Sequence, residues 1–124
     1  MSRGGLTRAE FERVVEEALE SLPKRFADLV ENVVIEVEDE PSARDTAGMR
    51  HDAGVHSELL GIYRGVALTD RTHNMPLLPD EIVVFRGPIN RVTRARHEAV
   101  EQVRATVVHE LGHYFGLDDD EMPH

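Results

Sequence analysis

His109 and His113 stand four residues apart, with Glu110 directly after the first histidine, in a stretch whose flanks have helical periodicity. One turn of α-helix takes 3.6 residues, so imidazoles at i and i+4 leave the same face of the helix and can share one ion. Zn²⁺ accepts imidazole nitrogen at roughly 2.0–2.1 Å and favours tetrahedral coordination. Glu110 then lies beside the ion rather than on it, where a carboxylate takes a proton from an activated water. The pattern points to one Zn²⁺ per chain, held by His109 and His113, with Glu110 as general base.

A catalytic zinc has three protein ligands and one open position. The chain contains no cysteine, so the third ligand must offer nitrogen or oxygen. Gly116 suits the helix stop and lets the chain turn back. Asp119 follows six residues after His113, in the run Asp118-Asp119-Asp120-Glu121. Asp119 is the expected third ligand, with Asp118 and Asp120 as alternatives. Two neutral imidazoles and one carboxylate leave such a zinc site with a net charge of +1. A fourth ligand from Asp118, Asp120 or His124 would instead close the site and make the metal structural, the alternative being a non-enzymatic zinc-binding structural or interaction domain. A metal-free acidic interaction module is a third reading. Peptide hydrolysis also needs a group to stabilise the developing oxyanion. His51, His56, Tyr63 and His73 have the chemistry, and the sequence does not choose among them.

These residues need elements to position them. Residues 7–22 read as an amphipathic helix through Phe11, Val14, Val15, Ala18, Leu19 and Leu22. Thr7 and Glu10 are spaced as a capping box at its start, and Pro23 stops it. A short helical turn is expected at Phe26 to Val30. Val33, Ile35 and Val37 alternate with Val34, Glu36 and Glu38 as in a half-buried strand. Residues 41–57 read as a polar loop. Leu59 to Arg64 and Val66 to Thr69 read as strand, with Gly65 marking a bulge or tight turn between them. A second loop is expected over 70–81, then a strand at Glu81 to Arg86 with the apolar run Ile82-Val83-Val84-Phe85, broken at Gly87-Pro88. A long helix then begins near Asn90 to Arg94, runs to about Phe115 and carries the histidine pair. The order helix, strand, strand, strand, helix predicts an α+β domain with helices packed on a small mixed sheet of three to four strands.

With 124 residues the chain is expected to form a single domain, with residues 1–5 flexible. Hydrophobic residues make up 40% and charged residues 31%, a balance suited to a soluble globular protein. The net charge of −10 opposes phosphate binding, so no nucleic-acid partner is expected. The five arginines between Arg86 and Arg104 alternate with His97, Glu98 and Glu101 and read as a solvated helix face. No stretch reaches the ~18–20 apolar residues that span a bilayer, so no membrane partner is expected. The Met-Ser-Arg-Gly-Gly start has no apolar signal segment, and cysteine is absent; a cytoplasmic protein is expected. The sequence does not indicate an oligomeric state.

The stretch His109-Glu110-Leu111-Gly112-His113-Tyr114-Phe115-Gly116-Leu117-Asp118-Asp119 resembles the zincins, and in particular the metzincin-like pattern HExxHxxGxxH/D. More narrowly, the chain looks like the minimal zincin-like metallopeptidases of small bacterial proteins, which end shortly after such a segment. Leu60-Gly61-Ile62-Tyr63-Arg64-Gly65-Val66 and Leu78-Pro79-Asp80-Glu81-Ile82 are similar to that family as well, and the resemblance runs from about residue 6 to 122. It implies a minimal zincin-like fold with a backing helix and an active-site helix. It also implies zinc ligands at His109, His113 and Asp119, a base at Glu110, and a peptide or protein substrate. Larger metzincins add a C-terminal subdomain with a Met-containing turn beneath the metal. Met122 follows Asp119 by only three residues and does not correspond to it, so half of the usual cleft is expected to be missing. An extended peptide could add to a free strand edge, either that of the strand through Tyr63 or that through Val84.

Overall fold

Four consecutive residues, Ile82 to Phe85, have no accessible surface. A strand that alternates faces can bury every side chain only if both of its faces are covered. This run is the strand β3 (Glu81–Phe85), and it occupies the centre of a three-stranded sheet. The computed structural model describes residues 5–47, 58–65 and 80–115. On one side β3 pairs in parallel with β1 (Val34–Glu38), with Ile35 opposite Ile82 and Val37 opposite Val84. On the other it pairs antiparallel with β2 (Gly61–Arg64), with Tyr63 opposite Ile82 and Gly61 opposite Val84. The sheet is therefore mixed, and the domain is α+β as expected.

Odd-numbered strand residues on β1 and β2 and the even-numbered ones on β3 face the helices. Val37, Ile82 and Val84 join the main core there, with Ile35 and Tyr63 packed against it. Two helices supply most of the cover. The helix α1 (Arg8–Glu20) buries Phe11, Val14, Val15 and Ala18. Its start is closed as its sequence predicts: the Thr7 hydroxyl accepts the Glu10 N–H at 3.2 Å and the Glu10 carboxylate accepts the Thr7 N–H at 2.8 Å. A short helix α2 (Lys24–Val30) follows Pro23 and buries Phe26. The second helix of this layer is α5 (Arg96–Phe115), which packs on α1, α2, β2 and β3.

The opposite face of the sheet carries a smaller cluster of Leu59, Val83 and Phe85, with Ile62 packed against it. Here the expected polar loop over 41–57 is corrected within its described part, 41–47, while 48–57 lie outside the described residues. Within it lies a helix, α3 (Ala43–Thr46), in which Ser42 Oγ accepts the Asp45 N–H and Asp45 accepts the Ser42 N–H. The same capping chemistry that starts α1 operates over Ser42-Ala43-Arg44-Asp45, with Asp in place of Glu. Arg64 crosses this face. Its guanidinium makes two bonds to Glu38, at 2.8 and 3.1 Å, and one to Asp45 at 2.8 Å. The bonds to Glu38 chiefly raise the Arg64 pKa. Burial pushes the Asp45 carboxyl upward, but the Ser42 N–H and Arg64 outweigh it and hold it below its ordinary value.

Two further details differ from expectation. The strand ends before Gly87-Pro88 as expected, at Phe85, one residue earlier than Arg86. A helix α4 (Arg86–Val92) begins straight after β3, and both residues lie in its first turn. A first-turn amide has no intrahelical partner, so the missing N–H of Pro88 costs nothing there. The long helix expected to begin between Asn90 and Arg94 starts at Arg96, and Asn90 to Val92 belong to α4 instead. At Thr93 the backbone is extended (φ −125°, ψ 153°), and the Thr93 hydroxyl donates to Ile89 O. Glu98 then restarts the helix by accepting the Arg94 N–H at 2.7 Å. The expected strand at Leu59 also begins two residues later, at Gly61. The Val66–Thr69 strand and the loop over 70–79 lie outside the described residues.

Candidate metal centre

The second half of α5 is buried on most of its circumference. Val103, Thr106, Val107, Glu110, Leu111, Gly112 and Tyr114 are all inside. Positions 106, 110 and 114 are four residues apart and form one stripe, which faces β2. The approach of helix to strand is close. A methyl group added at Gly61 would lie 2.5 Å from Thr106 Cγ2 and 2.9 Å from Val83 O, so no side chain fits between them. In the row Val37–Val84–Gly61 across the sheet, glycine provides the notch into which Thr106 settles.

That contact sets the next one. Two residues along an extended strand advance by roughly 6.6 Å. Four residues along a helix advance by about 6 Å. From the pair Gly61–Thr106 the register therefore leads to the pair Tyr63–Glu110, and there the Tyr63 N–H donates to Glu110 Oε1 at 2.9 Å. The Glu110 side chain is only 2% exposed. The Tyr63 ring packs on Tyr114, with centroids 5.2 Å apart, and its hydroxyl donates to Asp80 Oδ1 at 2.9 Å. Gly65 follows β2 at φ +139°, a conformation side chains rarely adopt, which suits the glycine expected there at a bulge or tight turn.

His109 and His113 occupy the adjacent stripe of α5, at the surface. Their rings lie 4.4 Å apart between centroids, and the His113 side chain is 43% exposed. His113 Nδ1 is 4.0 Å from Glu110 Oε1. One ligand atom from each of His109, Glu110 and His113 can be chosen such that all lie within 4.8 Å of one another. Two nitrogens on one tetrahedral Zn²⁺ are about 3.3 Å apart, given Zn–N bonds of ~2.0–2.1 Å. The ligand atoms lie within 4.8 Å of one another, a spacing of that order, so the residues present fit a divalent ion of the zinc type.

The chain matches the family described as zincin-like metallopeptidase over residues 30–124. It belongs to that family. Among solved structures it is similar to a conserved hypothetical protein from Thermo thermophilus, with a TM-score of 0.57 and 21% identity. The match covers 87% of this chain and 92% of that one, and it supports the fold. No curated protein matches the chain.

In this zincin-like chain the structure brings together three of the four expected site residues: His109, Glu110 and His113. Asp119, its neighbours Asp118 and Asp120, Gly116 and His124 lie outside the described residues, as do His51, His56 and His73. Tyr63 stands next to the site, but its hydroxyl is engaged by Asp80 and its contact with Glu110 is made by the main chain. The sequence reading missed Gly61 and Thr106. A glycine inside a strand signals close backbone approach, and Gly61 carried that signal. No helix among the described residues is long and apolar enough to cross a membrane.

Proposed function

We propose that this protein is a zinc-dependent metallopeptidase-type hydrolase acting on peptide bonds, in a cytoplasmic setting suited to its cysteine-free sequence. One observation carries the reading: a buried carboxylate, Glu110, sits beside two surface imidazoles on one helix, with all three ligand atoms inside 4.8 Å. Zinc that serves only to hold a fold needs no such carboxylate. Family membership supports the same reading.

His109 and His113 would hold one Zn²⁺, with Asp119 as the third ligand. Bound zinc supplies a Lewis acid that polarises the scissile carbonyl and acidifies the attacking water. Glu110 takes a proton from that water and passes it to the departing amine. Its burial keeps bulk water from competing for the proton, and the Tyr63 amide keeps one carboxylate oxygen in place. Peptides or unfolded proteins are the substrate class.

Glu110→Gln is the test. The variant should keep its zinc and lose hydrolysis of an unfolded-protein or peptide library by at least ~10²-fold. Hydrolysis at the wild-type rate would remove Glu110 from the chemistry. A wild type that hydrolyses nothing, and melts far lower with a chelator, would make the zinc structural.

A further inference from the structure

The order β1-β3-β2 leaves one side of β2 without a strand partner among the described residues. In an antiparallel pair, hydrogen-bonded and non-bonded residue pairs alternate. The Phe85 N–H donates to Leu60 O at 2.9 Å, so residues 60, 62 and 64 direct their main-chain groups at β3. Gly61 and Tyr63 direct theirs away from it. The Tyr63 amide is thus an outward donor of the strand edge, and it is the group that meets Glu110.

We propose that the main-chain amide of Tyr63 is a positioning group for Glu110, set in place by the Gly61–Thr106 contact, and that it holds the carboxylate in its reactive place beside the histidine pair. The inference rests on the reading of Glu110 as the base. A glutamate has three side-chain torsions. Helix geometry fixes where its Cβ lies, and the carboxylate at the end of these torsions needs a further contact to fix its direction. A 2.9 Å bond from a strand amide fixes one oxygen of the carboxylate, the one that lies 4.0 Å from His113 Nδ1. Because the donor belongs to the main chain, its position is set by strand register and not by a rotamer. That register is held on one side by the pairing with β3 and on the other by the notch at Gly61. An error of about 1 Å in the placement of a catalytic group can cost 10²-fold in rate.

The test compares Tyr63→Pro with Tyr63→Ala in the zinc-loaded protein. Both delete the ring and the Asp80 contact; only proline deletes the amide. Proline is tolerated at an edge position whose N–H lies outside the ladder. The expected result is a kcat for Tyr63→Pro at least ~10-fold below that of Tyr63→Ala, with KM within about twofold and equal zinc content. Equal kcat values would overturn the proposal. If Tyr63→Pro does not fold, Gly61→Ala takes its place: its methyl forces β2 away from Thr106, and the same fall in kcat at retained zinc is expected against wild type. A second measurement needs neither metal nor activity. In metal-free protein, hydrogen exchange at the Tyr63 amide should accelerate at least ~10-fold in Glu110→Ala while the Ile62 and Arg64 amides are unchanged. An unchanged Tyr63 rate would overturn the contact itself. If no form of the protein cleaves peptides, the reading of Glu110 as a base fails, and the exchange measurement still decides the contact.

Discussion

Glu110→Gln should stabilise the metal-free protein while it abolishes catalysis. The carboxylate is 2% exposed, and moving an ion out of water carries a penalty of several kcal/mol in real proteins. The Tyr63 N–H offsets part of this, since a hydrogen bond to a charged group contributes about 1.5–3 kcal/mol. Glutamine keeps the shape and an acceptor oxygen for the same N–H, now at about 0.5–1.5 kcal/mol. At the Tyr63 N–H the substitution thus loses on the order of 1–1.5 kcal/mol of bonding, and it relieves a larger desolvation cost. A net gain of about 1–2 kcal/mol follows, or a rise in Tm of roughly 3–10 °C for a domain of this size. The assay is urea and thermal unfolding followed by circular dichroism, with chelator present. It is run at one fixed pH for wild type and variant. A loss of more than ~1 kcal/mol in Glu110→Gln would refute the reasoning, because the charge would then be serving the fold.

Leu111, fully buried beneath the histidine pair, should cost about 2–5 kcal/mol when replaced by Ala, measured as a shift of the urea midpoint at unchanged m-value. Asp45 makes a pH-dependent contribution. Its folded pKa lies below its ordinary 3.8, so its stabilisation is fully present above that value and is lost as pH falls through the lowered one. Unfolding free energies measured across this acid range should decline more steeply for wild type than for Asp45→Asn; parallel curves would show that the Arg64–Asp45 contact contributes nothing.

What could be read from sequence follows from the range of the interactions involved. The α1 helix, its capping box and the i,i+4 histidines are local, and spacing alone specifies them. The apolar run at 82–85 was legible as a buried strand for the same reason. Local signals also misled. Val92, Ala95 and Ala99 keep helical spacing across the junction of α4 and α5, which hides the break at Thr93, although its β-branched side chain and the Glu98 restart were both visible. Ser42 and Asp45 likewise stood in plain view as a cap but belong to a helix of only four residues, too short to show periodicity. The contact of Tyr63 with Glu110 spans 47 residues of chain and uses a main-chain amide. No residue type announces such a donor, and only the packing of α5 against β2 reveals it.

The claim on which all of this depends is that His109 and His113 hold one ion together. Elemental analysis of purified protein, with His109→Ala, His113→Ala and Glu110→Gln beside wild type, tests it most directly. The account predicts one zinc per chain in wild type and Glu110→Gln and its loss in both histidine variants. Full zinc retained in either histidine variant, with the chain still folded, would contradict it.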